Sequence, residues 1–329
     1  MANVDSPTQS RRPHVLVTRR LPEAVERRAR DLFEVSLNVS DELLSVAQLH
    51  AGLNAADGII ATVTDRLDRA ALTSASRRAR IVANYGVGFN HIDVAAAADA
   101  GIVVTNTPGV LTDDTADLAI ALMLMVARRA GEGERLLRSG AWTGWRPTQL
   151  LGTRVTGATL GIVGMGRIGQ AVARRARRGF GMRVLFFQPN PVDLGDLDAV
   201  ACLSLEELLA QSDVVTLHCP ATAATRHLID AAALAHMGEH AILINTSRGD
   251  VVDEAALAAA LRAGRLRGAG LDVYEDEPQV NPVLRGLENV VLLPHLGSAT
   301  DASRIAMGMC AIDNLVAFFA GEEPPNRVA

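Results

Sequence analysis

The run "TLGIVGMGRIGQAVARRA" sets Gly164, Gly166 and Gly169 in GxGxxG register, directly after a β-branched stretch and directly before a helical one. In that context the motif predicts a dinucleotide turn. Gly164 permits the tight bend, Gly166 lets backbone approach a pyrophosphate, and Gly169 lets helix and strand pack closely. Amides at the helix start, Arg167 and Ile168, then face the phosphates. Three later segments, "INTSRGDVVDE", "GLDVYEDEP" and "LLPHLGSAT", each end a further β-like run. Ligands of an open α/β sheet bind at the carboxyl ends of its strands, so Arg248, Glu277 and His295 are expected to converge near the nicotinamide, an active-site location. Singly, each has a bland reading: an arginine capping a turn, a packed histidine, a loop charge. Their order behind a dinucleotide turn carries the assignment.

The stretch "FFQPN", Phe186 to Asn190, closes the strand after the glycine turn, where an acid would take both ribose hydroxyls and repel a 2′-phosphate. Gln188, followed by Pro189, can hydrogen-bond a hydroxyl without repelling the phosphate, and no arginine adjoins it to attract one. The expected cofactor is NAD(H) or NADP(H), with weak preference between them.

These residues need a scaffold of alternating elements, and the chain provides it. From "HVLVT" to "IVVTN", short β-branched runs ("DGIIAT", "RIVANYG") alternate with segments at helical spacing such as "PEAVERRARDLF". A second series starts at "ATLGIVGMG" and continues through "MRVLFF", "DVVTLH", "AILINTS", "GAGLDV" and "NVVLLPH". Two α/β units with parallel, doubly wound sheets follow, in keeping with 329 residues. Between them Pro108-Gly109 breaks a strand, Thr112 or Asp113 can cap, and an unusually apolar helix comes next, which must be covered on several sides. The last helical stretch, Asp301 to Phe319, has no strand left to pair with and is expected to cross back to the first unit.

Composition narrows the partners. The chain has no lysine, so all 32 basic residues are arginine, and any anion must be met by guanidinium, backbone N–H or hydroxyl. A net charge of -5 with scattered arginines gives no reason to expect nucleic acid. Cys202, Cys219 and Cys310 form no CxxC pair, which argues against a disulfide framework or zinc and for a reducing compartment. "MANVDSPTQSRRPHVLV" lacks an apolar signal core and begins as a disordered lead-in, and the apolar run Leu118–Ala127 is too short to span a bilayer. The expectation is a cytoplasmic protein with no membrane partner and no bound metal.

The ordered set GxGxxG, SRGxxVDExAL, GxGLDVxExEP and PHxG, within about Val15 to Phe319, resembles the D-isomer-specific 2-hydroxyacid dehydrogenase family. "NTPGVLTDDTADLAIALML" with "WTGWRP" resembles its glyoxylate/hydroxypyruvate reductase branch. The resemblance implies a flavodoxin-like substrate domain over 1–108 and 297–329, with an inserted Rossmann dinucleotide-binding domain over 109–296. It implies that Arg248 grips a small 2-oxo acid, its planar fork meeting the carboxylate and polarising the keto oxygen. His295 would protonate that oxygen as hydride arrives, and Glu277 would hydrogen-bond the imidazole and favour its charged form. Backbone N–H groups of Val87 and Gly88, and the loop around Val63, match the substrate-carboxylate loops. Thr115 matches a residue near the nicotinamide and Asp272 one near the carboxamide, and Cys219, Pro220 and Thr225 match the edge of the adenosine pocket. Thr246 and Gly297 fall to the cofactor side as well. Trp145, or Trp142 in its place, matches an aromatic that reaches a neighbouring subunit's active site, which implies a homodimer.

Alternatives stay open within and beyond the family. Formate dehydrogenases pair the histidine with glutamine where this chain has Glu277, and phosphite dehydrogenases carry a lysine in the loop matching Val87. Phosphoglycerate dehydrogenases commonly append regulatory domains, whereas this sequence stops soon after its final helix. Enzymes for D-lactate or bulkier acids are not separated by these residues. The C-terminal-binding-protein corepressors share the fold and the catalytic trio but usually carry extensions, of which only a short lead-in and "GEEPPNRVA" are seen here.

Overall fold

The computed structural model describes residues 11–329, and the lead-in expected at residues 1–10 lies outside the described residues. The chain forms two compact units, one running to Val110 and resuming at Thr300–Ala329, the other Leu111–Ala299.

The first unit alternates β1 (His14–Val17), α1 (Glu23–Leu32), β2 (Glu34–Leu37), α2 (Val46–Ala55), β3 (Gly58–Ala61), α3 (Arg69–Leu72), β4 (Ile81–Asn84), α4 (Val94–Asp99) and β5 (Val103–Thr105). Its five strands are parallel in the order β2-β1-β3-β4-β5, the flavodoxin-like winding. Both faces of β3 and β4 are buried, which is why β3 is an unbroken apolar run and β4 is apolar up to its last residue, Asn84, instead of alternating. Helix starts follow local chemistry. Ser45 and Gln48 form a reciprocal capping box on α2, and Asp93 accepts from the Ala96 N–H on α4.

The second unit opens with α5 (Thr112–Ala127) and α6 (Ala130–Arg138). It continues with β6 (Thr159–Val163), α7 (Arg167–Phe180), β7 (Arg183–Phe187), β8 (Val200–Ala201), α8 (Leu205–Gln211), β9 (Val214–Leu217), α9 (Ala231–His236), β10 (Ile242–Asn245), α10 (Glu254–Arg262), β11 (Gly268–Leu271), α11 (Pro282–Arg285) and β12 (Val290–Leu292). The sheet order is β12-β11-β10-β9-β6-β7-β8, all parallel, with the winding reversing between β6 and β9. That reversal is the Rossmann switch point, and the glycine turn leaves β6 beside it.

The final helix, α12 (Asp301–Phe319), packs against α1 and β4 of the first unit. By length and composition it is apolar enough to cross a membrane, but Met307, Ala311, Ile312 and Leu315 are buried in that packing. The apolar α5 packs against α6, α7, β10, β11 and β12, while Leu118, Ala121, Leu124 and Met125 remain only half-buried.

Three details correct the sequence reading. Neither Thr112 nor Asp113 caps α5; Leu111 stands at the N-cap without a side-chain bond. Two edge strands, β2 and β8, were absent from the expected set. "EVSL" is half exposed and β8 has two exposed residues, so neither shows the buried β-branched run that marks the central strands.

Candidate active site

The glycine turn is built by close approach. Gly164 has φ +94°, and a Cβ there would lie 2.6 Å from the Cys219 nitrogen, so both the bend and its contact with the β9 end exclude a side chain. A Cβ at Gly169 would lie 2.2 Å from the Gly164 carbonyl oxygen, which fixes how tightly α7 seats on the turn. At Gly166, the N-cap of α7, a Cβ would meet nothing within 4 Å. The first turn of α7 holds no acidic residue, and a glycine cap offers its amides no side-chain acceptor. A pyrophosphate fits such a cradle of open backbone amides at the positive end of a helix dipole.

Gln188 lies against this turn. Its Oε1 accepts the Met165 N–H at 2.7 Å and its Nε2 donates to the Asn190 carbonyl at 3.1 Å, so the side chain ties the turn to the loop after β7. Each end keeps capacity for one more hydrogen bond, as donor at the nitrogen and acceptor at the oxygen. Arg167 and the neighbouring Pro189 are exposed, and Ile168 is half-buried. Across the switch point Cys219 is buried, and burial pushes its thiol up to about 11. The exposed Pro220 begins a turn in which Thr225 Oγ1 donates to the Pro220 carbonyl at 2.6 Å and accepts the Thr222 N–H at 2.8 Å.

The other expected cofactor residues cluster at the ends of β10, β11 and β12. Asp272 is buried and accepts the N–H groups of Leu296 at 2.6 Å and Gly297 at 2.8 Å. Burial raises its carboxyl above the ordinary range despite those bonds. Thr115, on α5, donates to the Gly297 carbonyl at 2.9 Å. Thr246 Oγ1 is buried with no hydrogen-bond partner among the described residues, a donor that a ligand amide or hydroxyl can satisfy.

Arg248, Glu277 and His295 leave three adjacent strands, β10, β11 and β12. Asn245 shapes the Arg248 turn, its Nδ2 donating to the Arg248 carbonyl at 2.9 Å and its Oδ1 accepting the Ser247 N–H at 3.0 Å. Burial lowers the pKa of the Arg248 guanidinium, opposed by the charge of Glu277. His295 Nδ1 is 2.8 Å from Glu277 Oε2, and Glu277 Oε1 accepts the Tyr274 N–H at 3.1 Å. Burial alone would push the Glu277 carboxyl up, but the His295 hydrogen bond and charge, the Tyr274 N–H and Arg248 outweigh it and hold the carboxyl below its usual value. An ionised carboxylate only accepts, so Nδ1 carries the hydrogen of this bond and Nε2 faces the remaining chemistry. His295 has φ +55°, a left-handed conformation that costs a non-glycine residue about 1 kcal/mol or more. Its N–H bond to the Asp272 carbonyl at 2.9 Å holds that geometry.

Of the remaining expected residues, Val63, Val87 and Gly88 belong to the first unit, and Trp142 and Trp145 to the segment after α6. Val63 follows β3 and is exposed; Val87 and Gly88 follow β4, where Asn106 Nδ2 donates to the Val87 carbonyl at 2.9 Å and Asn84 Nδ2 to that of Gly88 at 3.1 Å. Trp145 is 79% exposed; Trp142 is 47% exposed, and its Nε1 donates to Gln149 at 3.2 Å. Tyr274, Gly249, Glu275 and His227 also border the Arg248 turn and the Glu277 loop, outside the residues expected from the sequence. His227 pairs with Glu275 beside the Arg248 turn, and no local pattern marks it.

The chain is similar to proteins of known family. A model of the D-isomer specific 2-hydroxyacid dehydrogenase NAD binding domain matches residues 120–297. The glyoxylate reductase of Thermococcus litoralis is 45% identical over 96% of this chain and 97% of its own length. The glyoxylate reductase of Korarchaeum cryptofilum is 46% identical over 96% of each. Among solved structures, the NADPH-dependent glyoxylate/hydroxypyruvate reductase of Sinorhizobium meliloti in complex with NADP and malonate aligns with a TM-score of 0.84. It is 37% identical and covers 97% of this chain and 97% of its own.

Proposed function

The chain belongs to the D-isomer specific 2-hydroxyacid dehydrogenase family, and on that premise we propose that it reduces a small 2-oxo acid, glyoxylate or hydroxypyruvate, to the 2-hydroxy acid with NADH or NADPH. The observation that carries the reading is the 2.8 Å His295–Glu277 bond one strand from Arg248, at the sheet edge that also bears the glycine turn. The relatives named as glyoxylate reductases support the choice of acid.

The dinucleotide, when bound, supplies a hydride to the 2-carbon. Gly164, Gly166 and Gly169 hold its pyrophosphate with the amides of Arg167 and Ile168, and Gln188 meets the ribose. Thr115, Thr246, Asp272 and Gly297 serve the nicotinamide end, and Cys219, Pro220 and Thr225 the adenosine end. Arg248 takes the substrate carboxylate and draws charge towards the keto oxygen, with backbone N–H groups of Val87 and Gly88 and the loop of Val63 as further donors to the carboxylate. His295 holds a proton at Nε2 and delivers it to the oxygen, while Glu277 orients the ring and stabilises its charged form. One 2-oxo acid, one reduced dinucleotide and one proton become one 2-hydroxy acid and the oxidised dinucleotide.

The working unit in this reading is a homodimer in the cytoplasm. The half-buried apolar face of α5 and the exposed Trp145 support it, since large exposed aromatics are favoured at interfaces. The test follows the absorbance of reduced nicotinamide with purified protein and glyoxylate, hydroxypyruvate or pyruvate, using NADH and NADPH in parallel. Turnover of glyoxylate with both cofactors is expected, because Gln188 neither repels nor captures a 2′-phosphate. A preference of about a hundredfold for either cofactor overturns the Gln188 reading, and no turnover of any acid overturns the activity.

A further inference from the structure

The Arg248 turn does not stand alone. A Cβ at Gly249 would lie 1.9 Å from the Tyr274 carbonyl carbon and 2.3 Å from the Glu275 nitrogen, so the backbone after Arg248 runs directly against the backbone leading to Glu277. Glu275 surrounds this contact with bonds. Its N–H donates to Glu254 Oε1 at 2.8 Å, and its own Oε2 takes a long bond of 3.4 Å from the Glu254 N–H at the start of α10. Its Oε1 pairs with His227 Nε2, with Arg226 4.0 Å away. His227 has φ +49°, and its N–H donates to the Asp250 carbonyl at 2.8 Å, two residues beyond Arg248. Arg226 Nη1 meets the Asp250 carboxylate at 3.3 Å. Glu254 is itself buried, an expensive place for a carboxylate, and it accepts the backbone N–H groups of Glu275 and Asn281.

We propose that Glu275 and His227 are positioning residues that clamp the Arg248 turn onto the Glu277 loop, holding the guanidinium in register with the His295–Glu277 pair. The proposal rests on the reductase reading, because it concerns where the substrate-gripping arginine sits. Neither residue is among those assigned above to the substrate or the dinucleotide. The adenosine-edge turn keeps its own bonds through Thr225, and the segment after it is tied to the 250s by Ile229 N–H to the Val251 carbonyl at 3.0 Å. Breaking the clamp therefore loosens Arg248 while leaving the dinucleotide site intact.

The test compares the full-length parent with Glu275→Ala, Glu275→Gln and His227→Asn. Asparagine tolerates the left-handed backbone but is too short to reach Glu275, and glutamine at 275 keeps an acceptor of the right length. In Glu275→Ala and His227→Asn, kcat/KM for glyoxylate is expected to fall about ten- to a hundredfold, with KM raised, as for a catalytic group misplaced by a fraction of an ångström. NADH affinity, read by fluorescence titration, stays within about twofold, and Glu275→Gln recovers most of the loss. Parent-like KM and kcat in both breaking variants overturn the proposal, as does an equal loss of NADH affinity. Should Glu275→Ala fail to fold, His227→Asn decides alone. An inactive parent is a different failure, that of the reductase reading, and the clamp as a catalytic device falls with it.

Discussion

Glu277 bonds His295 directly and feels the charge of Arg248 from the neighbouring strand, and the different chemistry of Arg248 and His295 separates their contributions in the proposed reaction. Arg248→Ala removes the bidentate partner of the substrate, so KM for glyoxylate rises strongly in initial-rate assays. His295→Ala removes the proton donor and lowers kcat by about two to four orders of magnitude. Near-normal turnover in the histidine variant would falsify the acid assignment. The pH profile tests the carboxylate. The Glu277 carboxyl is held below its usual range, so it stays ionised and keeps its bond to His295 Nδ1 from neutral pH down through the range where a free carboxyl would protonate. Reduction is therefore expected to lose turnover on the acid side only below that range. Glu277→Gln has no carboxyl to protonate and should lack this limb; an unchanged acid limb shows that it belongs to another group.

At the scale of elements, the glycine turn offers a paired test, because its glycines serve different neighbours. At Gly169 an added methyl meets the Gly164 carbonyl, so Gly169→Ala is expected to destabilise by about 1–3 kcal/mol, read by urea unfolding without ligand. At Gly166 the methyl meets nothing, so Gly166→Ala keeps the parent's stability and loses roughly tenfold or more in dinucleotide affinity, read by fluorescence titration. Equal affinity in parent and Gly166→Ala shows that the phosphates sit elsewhere. The strand–turn–helix was legible because each part has a local signature: buried β-branched residues in β6, fixed glycine spacing and helical spacing in α7. The edge strands β2 and β8 had none, since an exposed strand of two to four residues exists by pairing with a neighbour distant in sequence.

For the whole molecule, the prediction concerns assembly. Multi-angle light scattering is expected to give a dimer at micromolar concentration, and Trp145→Ala is expected to change the ratio of glyoxylate to hydroxypyruvate turnover, because in the homodimer reading that ring lines the neighbouring subunit's site. A monomer with parent-like kinetics in the variant removes Trp145 from the reaction. By itself the sequence determined the two-series βα alternation, the glycine turn and the placing of Arg248, Glu277 and His295 at successive strand ends, because periodicity, turn chemistry and strand termini are local properties of the chain. Tertiary structure alone decided that Gln188 is held by the Met165 N–H 23 positions away, that Gly249 has no room for a side chain against Tyr274, and that His227 finds Glu275 across 48 residues. Those contacts depend on which strands lie side by side and in what register, and register is set by packing summed over the whole sheet rather than by any window of sequence.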